Sequence, residues 1–331
     1  MPCSNSYRMS NRVVWIEQLR GFAILMIVVT HFIAGFCPDL FRLWDDYSLL
    51  LSGITGKFGV AIFCAILGYF ATKETEANIL TYSLRRYLQF AVNILLVVLL
   101  YAGMLFALRV EAVAMPSVGQ IAGEAFLFKS NIVPTYWCVA DLFWGSIICY
   151  AMGNYLKRLP VYYLLGIEIA LCVLLFFTHK VWIMICVMGG LYRLLWSLHE
   201  QLDKKWQWLI CALCLPLIPC LYRHPESEVV YMLQGIAASL FMYVAGMLTT
   251  LPMFKPEYQI RGLLYWIGRL SFYVFLLHTP VNVILHSMNP ECSMWCVFAL
   301  SFGLTMFGSV LLYLFNQYLL SKWLRKLKIW M

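Results

Sequence analysis

Ten long runs of apolar residues follow one another along the chain and are separated by short polar segments. A helix needs about 20 mostly apolar residues to cross a bilayer, and most of these runs approach or exceed that length. The runs are continuous rather than alternating, so they predict transmembrane helices and not the strands of a membrane β-barrel. The predicted spans are 13–36, 49–72, 81–107, 134–153, 161–178, 180–198, 206–222, 230–251, 262–286 and 294–320.

Two segments of this pattern carry a more specific prediction. Only His179 and Lys180 separate the fifth span from the sixth, which predicts a tight helical hairpin. The segment 116–129 is moderately apolar and contains Glu124. It is too short for a full span and is predicted to be a re-entrant or interfacial helix.

The composition supports a membrane fold. The chain has 331 residues, of which 63% are hydrophobic and 12% are charged, whereas soluble domains contain about 25% charged residues. We therefore predict an all-α, polytopic integral membrane bundle of about ten transmembrane helices. One membrane domain is expected to fill residues 1–331, with residues 1–12 and the basic residues 321–331 as cytoplasmic tails.

The basic residues predict the orientation of the chain. They account for the net charge of +8 but are spread between the apolar runs, so they do not indicate a nucleic-acid-binding domain. With the amino terminus inside, the inner loops and tails hold 16 Lys and Arg, the outer loops hold 5, and the spans hold 3. Because Lys and Arg accumulate on the cytoplasmic side, both termini are predicted to be cytoplasmic. The expected location is the cytoplasmic (inner) membrane.

The cysteines and glycines exclude several kinds of site. Most of the twelve cysteines lie inside apolar runs, so they do not form a disulfide framework. Cys211 and Cys214 form a CxxC in an apolar helix without partner ligands, which favours a structural role. The chain contains no P-loop, no dinucleotide-binding glycine pattern and no cluster with metal-ligand spacing. No metal is therefore expected.

Three ionisable residues share one face of the first span. Residues 15–32 read WIEQLRGFAILMIVVTHF and include Glu17, Arg20 and His31. At about 100° per residue, Arg20 and His31 differ by about 20° around the helix axis, and Glu17 lies about 60° from Arg20. The helical rise separates Arg20 from His31 by about 16 Å. Because charges inside a bilayer are costly and usually functional, this stripe is predicted to line a reaction path.

The predicted topology sorts the intramembrane polar residues into two levels. The outer level holds His31, Lys57 and Asp141, with Glu124 as a further candidate. The inner level holds Glu17, Arg20, Arg85, Arg86 and Arg269. His278 follows Arg269 by nine residues, about 180° around a regular helix. The two cannot face one cavity, so His278 receives less weight and its role, like that of Glu124, stays open.

Most of these residues have a structural alternative. Arg85 and Arg86 begin the third span, where basic residues serve as membrane anchors. The acidic and basic residues of the first span have the i, i+3 spacing of a simple ion pair. Lys57 is able to snorkel to the interface, and Asp141 is close enough to the interface to be hydrated. His31 is the hardest to explain structurally and is the strongest candidate.

The two levels suit different chemistry. Histidine is able to remove a proton from a hydroxyl near neutral pH. Asp141 is predicted to orient that histidine or stabilise its charged form, and Lys57 to stabilise a developing oxyanion. Arginines at the inner level suit a phosphate-rich ligand. A base about 16 Å from a phosphate site fits a long donor with a charged head and a reactive tail.

Several segments resemble motifs of the membrane acyltransferase-3 family. The first helix of that family has an acidic residue, then Leu-Arg-Gly, an apolar run and a histidine, as Glu17, Leu19, Arg20, Gly21 and His31 do here. Residues 57–70, KFGVAIFCAILGYF, resemble its second helix, although Leu67 replaces the usual serine of Ser-Gly-Phe or Ser-Gly-Tyr.

Three later segments extend the resemblance over nearly the whole chain. LRRY at 84–87 resembles the basic start of the third helix, and TYWCVADLFW at 135–144 resembles the aromatic motif around a tryptophan. GRLSFYVFLLHTPV at 268–281 resembles the late Gly-x-x-Ser…Leu-His-Pro segment, with Thr279 intervening before Pro280.

The resemblance implies a reaction. It implies transfer of an acyl group, usually acetyl from acetyl-CoA, to a hydroxyl of a carbohydrate, lipid-linked glycan or related envelope molecule. It further implies that His31 and Arg20 are the essential histidine and arginine of the first helix, and that Arg85 and Arg86 bind the CoA phosphates. The acceptor, the choice between acetyl and another acyl group such as succinyl, the role of His31 as base or acyl carrier, and the oligomeric state stay open.

A proton-coupled secondary transporter is the alternative from another functional class. Such a protein uses intramembrane charges as a proton relay. It also predicts an internal repeat with paired broken helices, and no convincing repeat is found in the sequence. A membrane component without activity leaves the aligned polar stripe unexplained. The enzyme is therefore the preferred hypothesis.

Overall fold

Every secondary-structure element in the described part of the chain is a helix. The structure, a computed structural model, describes residues 4–36, 56–72, 78–109, 115–126, 132–133, 136–156, 159–199, 202–220, 228–248, 262–288 and 293–326. Its α-helices are α1 (Ser4–Phe36), α2 (Phe58–Ala71), α3 (Ile79–Ala107), α4 (Val118–Ala125), α5 (Trp137–Tyr155), α6 (Val161–Phe177), α7 (Val181–His199), α8 (Lys204–Cys220), α9 (Glu228–Leu248), α10 (Leu263–Met288), α11 (Met294–Phe315) and α12 (Ser321–Lys326). A π-helical turn, Asn316–Leu320, connects α11 to α12. The predicted all-α class is confirmed.

The helices overlap the ten predicted spans. Four helical stretches are long and apolar enough to cross a membrane, namely Val14–Phe36, Ile79–Ala107, Leu263–Met288 and Met294–Trp323. Shorter apolar helices are Phe58–Ala71, Tyr162–Phe177, Val181–Gly190 and Gly235–Leu248. The chain is thus a helical membrane protein. The ten crossings, the orientation of the chain and the single domain with its two tails remain predictions. Parts of the predicted spans and tails lie outside the described residues, namely 1–3, 49–55, 134–135, 221–222, 249–251 and 327–331.

Side chains cap several helix ends, where backbone groups lack partners inside the helix. The Asn78 side chain accepts a hydrogen bond from the Leu80 amide at 2.9 Å and starts α3. Ser117 and Gln120 form a capping box at the start of α4, with bonds of 3.2 and 2.8 Å. The short α4 lies within the segment predicted to be re-entrant or interfacial, of which residues 127–129 are outside the described part.

The predicted hairpin between α6 and α7 is confirmed. His179 has a φ of 59°, in the left-handed region that commonly ends a helix. The Lys180 amide donates to the Leu175 carbonyl at 2.8 Å, and α7 begins at Val181. The chain therefore reverses within three residues, Thr178 to Lys180.

The described residues divide into two compact units, and α1, α5 and α10 contribute to both. The first unit comprises Met1–Thr30, Arg42–Glu76 and Trp144–Arg269. In it, α2 crosses α7 at backbone contact. A Cβ added to Gly68 would overlap the Cys186 carbonyl, and one added to Gly189 would overlap the Ala65 carbonyl. Small residues allow such close packing of helices in membranes.

A second close crossing in the first unit joins α1 to the start of α10. A Cβ on Gly21 would overlap the carbonyl oxygen of Leu264, and a Cβ on Gly268 would overlap that of Glu17. Both glycines belong to the segments that resemble family motifs. Close packing therefore requires glycine at both positions, because no larger residue fits between these two backbones.

The second unit comprises His31–Phe41, Ala77–Phe143 and Leu270–Met331. Asn93 of α3 and Asn316 at the π-helical turn exchange amide hydrogen bonds of 3.1 and 2.6 Å. The ring of Phe90 meets that of Phe272 edge to face, 5.2 Å between centroids. These contacts tie α3 to α10 and to the end of α11, and this unit contains His31 and His278.

Candidate functional site

Two histidines meet inside the second unit. His31, near the end of α1, is half-buried, and its Nδ1 lies 3.0 Å from Nε2 of His278 on α10. The His278 side chain is fully buried, and the two ring centroids are 5.0 Å apart. The candidate functional site is built on this pair.

The hydrogen-bond partners determine which nitrogen carries each proton. His278 Nδ1 lies 2.8 Å from the Phe275 carbonyl and 3.2 Å from the Val274 carbonyl. Carbonyl oxygens only accept hydrogen bonds, so His278 Nδ1 is the protonated nitrogen. A charged ring without exposed surface is costly, so His278 is neutral and its Nε2 is an acceptor.

This arrangement selects one tautomer of His31. Because His278 Nε2 accepts, the proton between the two rings belongs to His31 Nδ1. The Thr279 hydroxyl lies 3.1 Å from the same Nε2. A neutral His31 then carries its lone pair on Nε2. That nitrogen is the basic atom of the site.

A proline next to this pair opens a hydrogen-bonding position in α10. Pro280 lies inside the helix and has no amide proton to donate to the carbonyl of Leu276, four residues earlier. The buried Tyr136 hydroxyl donates to that carbonyl at 2.6 Å. Tyr136 therefore compensates for the proline in the turn that carries His278.

Glu124 supports the segment that leads into Tyr136. Its buried carboxylate Oε1 accepts hydrogen bonds from the amides of Ile132 at 3.1 Å and Val133 at 2.9 Å. The Val133 carbonyl in turn accepts from the Tyr136 amide at 3.0 Å. Glu124, a sequence candidate of open role, thus has a structural role in this unit.

Buried polar side chains also follow one face each of α10 and α11. Those on α10 are Ser271, His278 and Asn282, and those on α11 are Ser301, Thr305 and Ser309. We call these six residues the polar seam. Among the described residues, no hydrogen-bond partner is present for the buried atoms Ser271 Oγ, Asn282 Nδ2 and Thr305 Oγ1. An unpartnered buried polar group costs about 1–3 kcal/mol and requires an explanation.

The seam runs past the histidine pair. Ser301 Oγ donates to Asn282 Oδ1 at 2.5 Å, and α10 and α11 run in opposite directions. One turn from this bond, Thr305 of α11 is level with His278 of α10. The unpartnered Thr305 hydroxyl is therefore next to the turn that carries the pair.

The acidic and basic residues of the first span form an ion pair in the first unit. Arg20 Nη1 lies 3.2 and 3.3 Å from the two carboxylate oxygens of Glu17. The guanidinium also lies 5.5 Å from the ring centroid of Phe63. The ion pair that the i, i+3 spacing allowed is present, and both side chains are half-buried.

The basic pair of α3 is organised around one buried tyrosine. The guanidinium carbons of Arg85 and Arg86 lie 5.9 and 5.5 Å from the ring centroid of Tyr82. Arg86 Nε donates to the Tyr82 hydroxyl at 3.2 Å. Both guanidinium groups thus make cation–π contacts with the Tyr82 ring.

The remaining sequence candidates occupy different surroundings. Lys57 is exposed and directly precedes α2, and Asp141 is half-buried on α5, in the same unit as His31. Arg269 is exposed, with its guanidinium 5.5 Å from the Trp266 ring centroid. The contact between His278 and His31 corrects the lower weight that the sequence analysis gave to His278.

One comparison with known proteins identifies the family. The family model described as an acyltransferase domain, Acyl_transf_3, matches residues 13–314. The chain belongs to the acyltransferase-3 family. No curated protein and no solved structure matches it. The protein is thus a membrane acyltransferase, and the resemblance drawn from its motifs is confirmed.

Sequence reasoning missed three features of this acyltransferase-3 site. It did not pair His278 with His31, did not assign a partner to the Tyr136 hydroxyl, and did not find the polar seam. One signal was present in the sequence, because Pro280 inside an apolar span requires a donor for the Leu276 carbonyl.

Replacing Tyr136 with Phe tests the hydroxyl that compensates for the proline. The variant leaves the Leu276 carbonyl without its described donor, so the unfolding free energy should fall by about 1–3 kcal/mol. Tyr101→Phe is the matched control, since Tyr101 is a buried tyrosine of the same unit with no described hydroxyl partner. Denaturant unfolding of the purified proteins measures both. Equal stabilities of the two variants would contradict the proposed compensation.

Proposed function

We propose that this protein is an O-acyltransferase that moves an acetyl group from cytoplasmic acetyl-CoA to a hydroxyl of a cell-envelope polysaccharide, lipid-linked glycan or related saccharide. The observation that carries the proposal is the histidine pair. It gives His31 a basic Nε2 inside a membrane acyltransferase. A base of this kind is what a hydroxyl needs before it attacks a thioester.

The reaction proposed at His31 balances in protons and bonds. Nε2 takes the proton of the acceptor hydroxyl, and the oxygen attacks the thioester carbonyl. The carbon–sulfur bond then breaks, an ester bond has formed, and CoA leaves as a thiolate that takes the proton back from His31. His278 stabilises the transient charge because its Nε2 accepts the hydrogen bond from the Nδ1–H group of His31 throughout.

We propose Arg85 and Arg86 as the residues that bind the phosphates of CoA. Two guanidinium groups held beside one tyrosine suit several phosphate oxygens, because each guanidinium offers paired donors. Arg20, paired with Glu17 on α1, and the exposed Arg269 are further proposed contacts on the cytoplasmic side. Acetyl-CoA is a substrate in this account, and no metal takes part.

We propose that the acceptor approaches from the outer side. Lys57 is assigned to the developing oxyanion, and Asp141 to the orientation of the site. The two unpartnered hydroxyls and the unpartnered amide of the polar seam are matched to the hydroxyls of a saccharide, which both donate and accept hydrogen bonds. We further propose that the chain crosses the membrane ten times, with both termini in the cytoplasm, and that it is located in the inner membrane.

The transporter alternative has less support. Membership in the acyltransferase-3 family favours group transfer over transport. The two hypotheses also differ in a measurable requirement, because uptake of a solute would not depend on acyl-CoA. Succinyl-CoA in place of acetyl-CoA distinguishes the acyl groups on the same protein.

Replacing His31 with Ala tests the proposed base. Acetate transfer from radiolabelled acetyl-CoA to lipid-linked glycan should fall by about 10²–10⁴-fold in purified, folded protein, because no group remains to take the proton. His286→Ala is the matched control, since His286 lies on the helix of His278 but is exposed. Full transfer activity in the His31 variant would refute the mechanism.

Replacing Arg86 with Ala tests phosphate binding. The KM for acetyl-CoA should rise at least about tenfold with a smaller change in kcat, because a charge-assisted hydrogen bond contributes about 1.5–3 kcal/mol. The variant should also discriminate less between acetyl-CoA and acetyl-dephospho-CoA. Arg109→Ala, at the far end of the same helix, is the control. An unchanged KM and unchanged discrimination would exclude this role.

A further inference from the structure

An apolar cavity lies within the first unit, among α6, α7, α8 and α9. Its volume is about 740 Å³, within the range of about 300–1,000 Å³ that is usual for small-molecule sites. The lining residues come from all four helices and from Leu202, which precedes α8. Neither the family match nor the proposed transfer reaction assigns a role to this cavity.

The cavity is elongated along the helices. From α9 it is lined by Met232, Ile236, Ser239, Leu240 and Tyr243. Their spacing of three and four residues is that of one helical face, and it extends over about 16 Å of helix. A slot of this length along helices of a membrane protein fits a linear molecule better than a compact one.

The polar groups around the slot offer little to a polar ligand. None of the described residues that line it is charged. The hydroxyl of Tyr192 donates to the Met242 carbonyl at 3.4 Å, and that of Tyr243 donates to the Gln207 carbonyl at 3.3 Å. Ser239 Oγ is buried and has no hydrogen-bond partner among the described residues. A ligand that suits this lining is a hydrocarbon with at most one oxygen atom that accepts a hydrogen bond.

One wall of the slot reaches the outer surface of the unit. Val173 and Phe177, one turn apart on α6, are 49% and 73% exposed. The lining side chains of α7 are buried, with Met184 at 1% and Tyr192 at 4% exposure. Exposed apolar side chains of a membrane helix contact lipid, so the slot opens towards the hydrocarbon of the bilayer.

We propose that this slot binds one acyl chain of a bilayer phospholipid. The chain enters between the exposed residues of α6 and lies between α7 and α9, where Met184 and Met188 of α7 and Met232 of α9 adapt their shape to it. The shared chemistry of candidate ligands is a flexible hydrocarbon chain. A polyprenyl phosphate has it too, but its phosphate would find no cationic side chain in the described lining.

Photo-cross-linking in nanodiscs tests the proposal. The full-length protein is placed in phosphatidylethanolamine and phosphatidylglycerol that contain a phosphatidylethanolamine with a diazirine near the end of one acyl chain. A parallel arm contains a diazirine-bearing polyprenyl phosphate at the same mole fraction. Mass spectrometry of the peptides then maps labelled residues. We expect the phospholipid probe to label the buried residues Met184 and Tyr192.

Two neighbouring residues of α6 provide a matched pair of variants. Val173→Trp fills the opening of the slot, whereas Leu174→Trp replaces a residue that is 59% exposed and is not part of the lining. Each buried methylene multiplies affinity by about fourfold, so displacing two of them should reduce labelling of Met184 by about fifteenfold. Leu174→Trp should leave it unchanged. Ser239→Leu fills the slot from α9. It should reduce labelling of Met184 in the same way if Val173→Trp does not fold.

Three results would overturn the assignment. The first is labelling confined to outward-facing residues such as Leu174, with Met184 unlabelled. The second is labelling of Met184 that neither slot-filling variant reduces. The third is labelling of Met184 by the polyprenyl probe alone, which would assign the slot to an isoprenoid chain. Activity is not the readout, so the outcome does not depend on the proposed reaction.

Discussion

The candidate site of this protein depends on one hydrogen bond, from His31 Nδ1 to His278 Nε2. A neutral imidazole has one donor and one acceptor, and His278 uses its donor on backbone carbonyls of its own helix. Its remaining nitrogen is thereby able only to accept. The tautomer of His31 follows from the backbone of α10. This makes the chemistry of one helix a consequence of the local structure of another.

The second unit contains several features that keep that backbone in place. Pro280 removes one helical hydrogen bond beside the pair, and the Tyr136 hydroxyl supplies a donor to the carbonyl left without one. Glu124 in turn holds the segment that leads into Tyr136. In a bilayer, backbone groups without partners are especially costly, because no water is available to bond them. These contacts therefore stabilise the site even where they do not touch substrate.

Much of the fold was predictable from the sequence because membrane helices obey simple constraints of length and polarity. The all-α class and the hairpin at His179 both follow from local pattern. The contact of His278 with His31 does not follow from local pattern, since a helical wheel gives the direction of a side chain only within its own helix. The wheel compares His278 with Arg269 of the same helix. The partner on another helix, His31, decides which face of α10 belongs to the candidate site. Tertiary contacts of that kind are absent from any single-span pattern.

The motifs shared with the acyltransferase-3 family combine two physical requirements. Gly21 and Gly268 are needed where two backbones touch, whereas His31 and Arg20, which we propose take part in the reaction, lie on the same helix as Gly21. Packing and chemistry are thus encoded within a few residues of each other. A double-mutant cycle of His31→Ala and His278→Ala on the rate of acetyl transfer tests whether His278 acts through His31. If it does, the double variant is no slower than His31→Ala alone, because His278 then has no base to orient. Losses that multiply would show that the two histidines act independently.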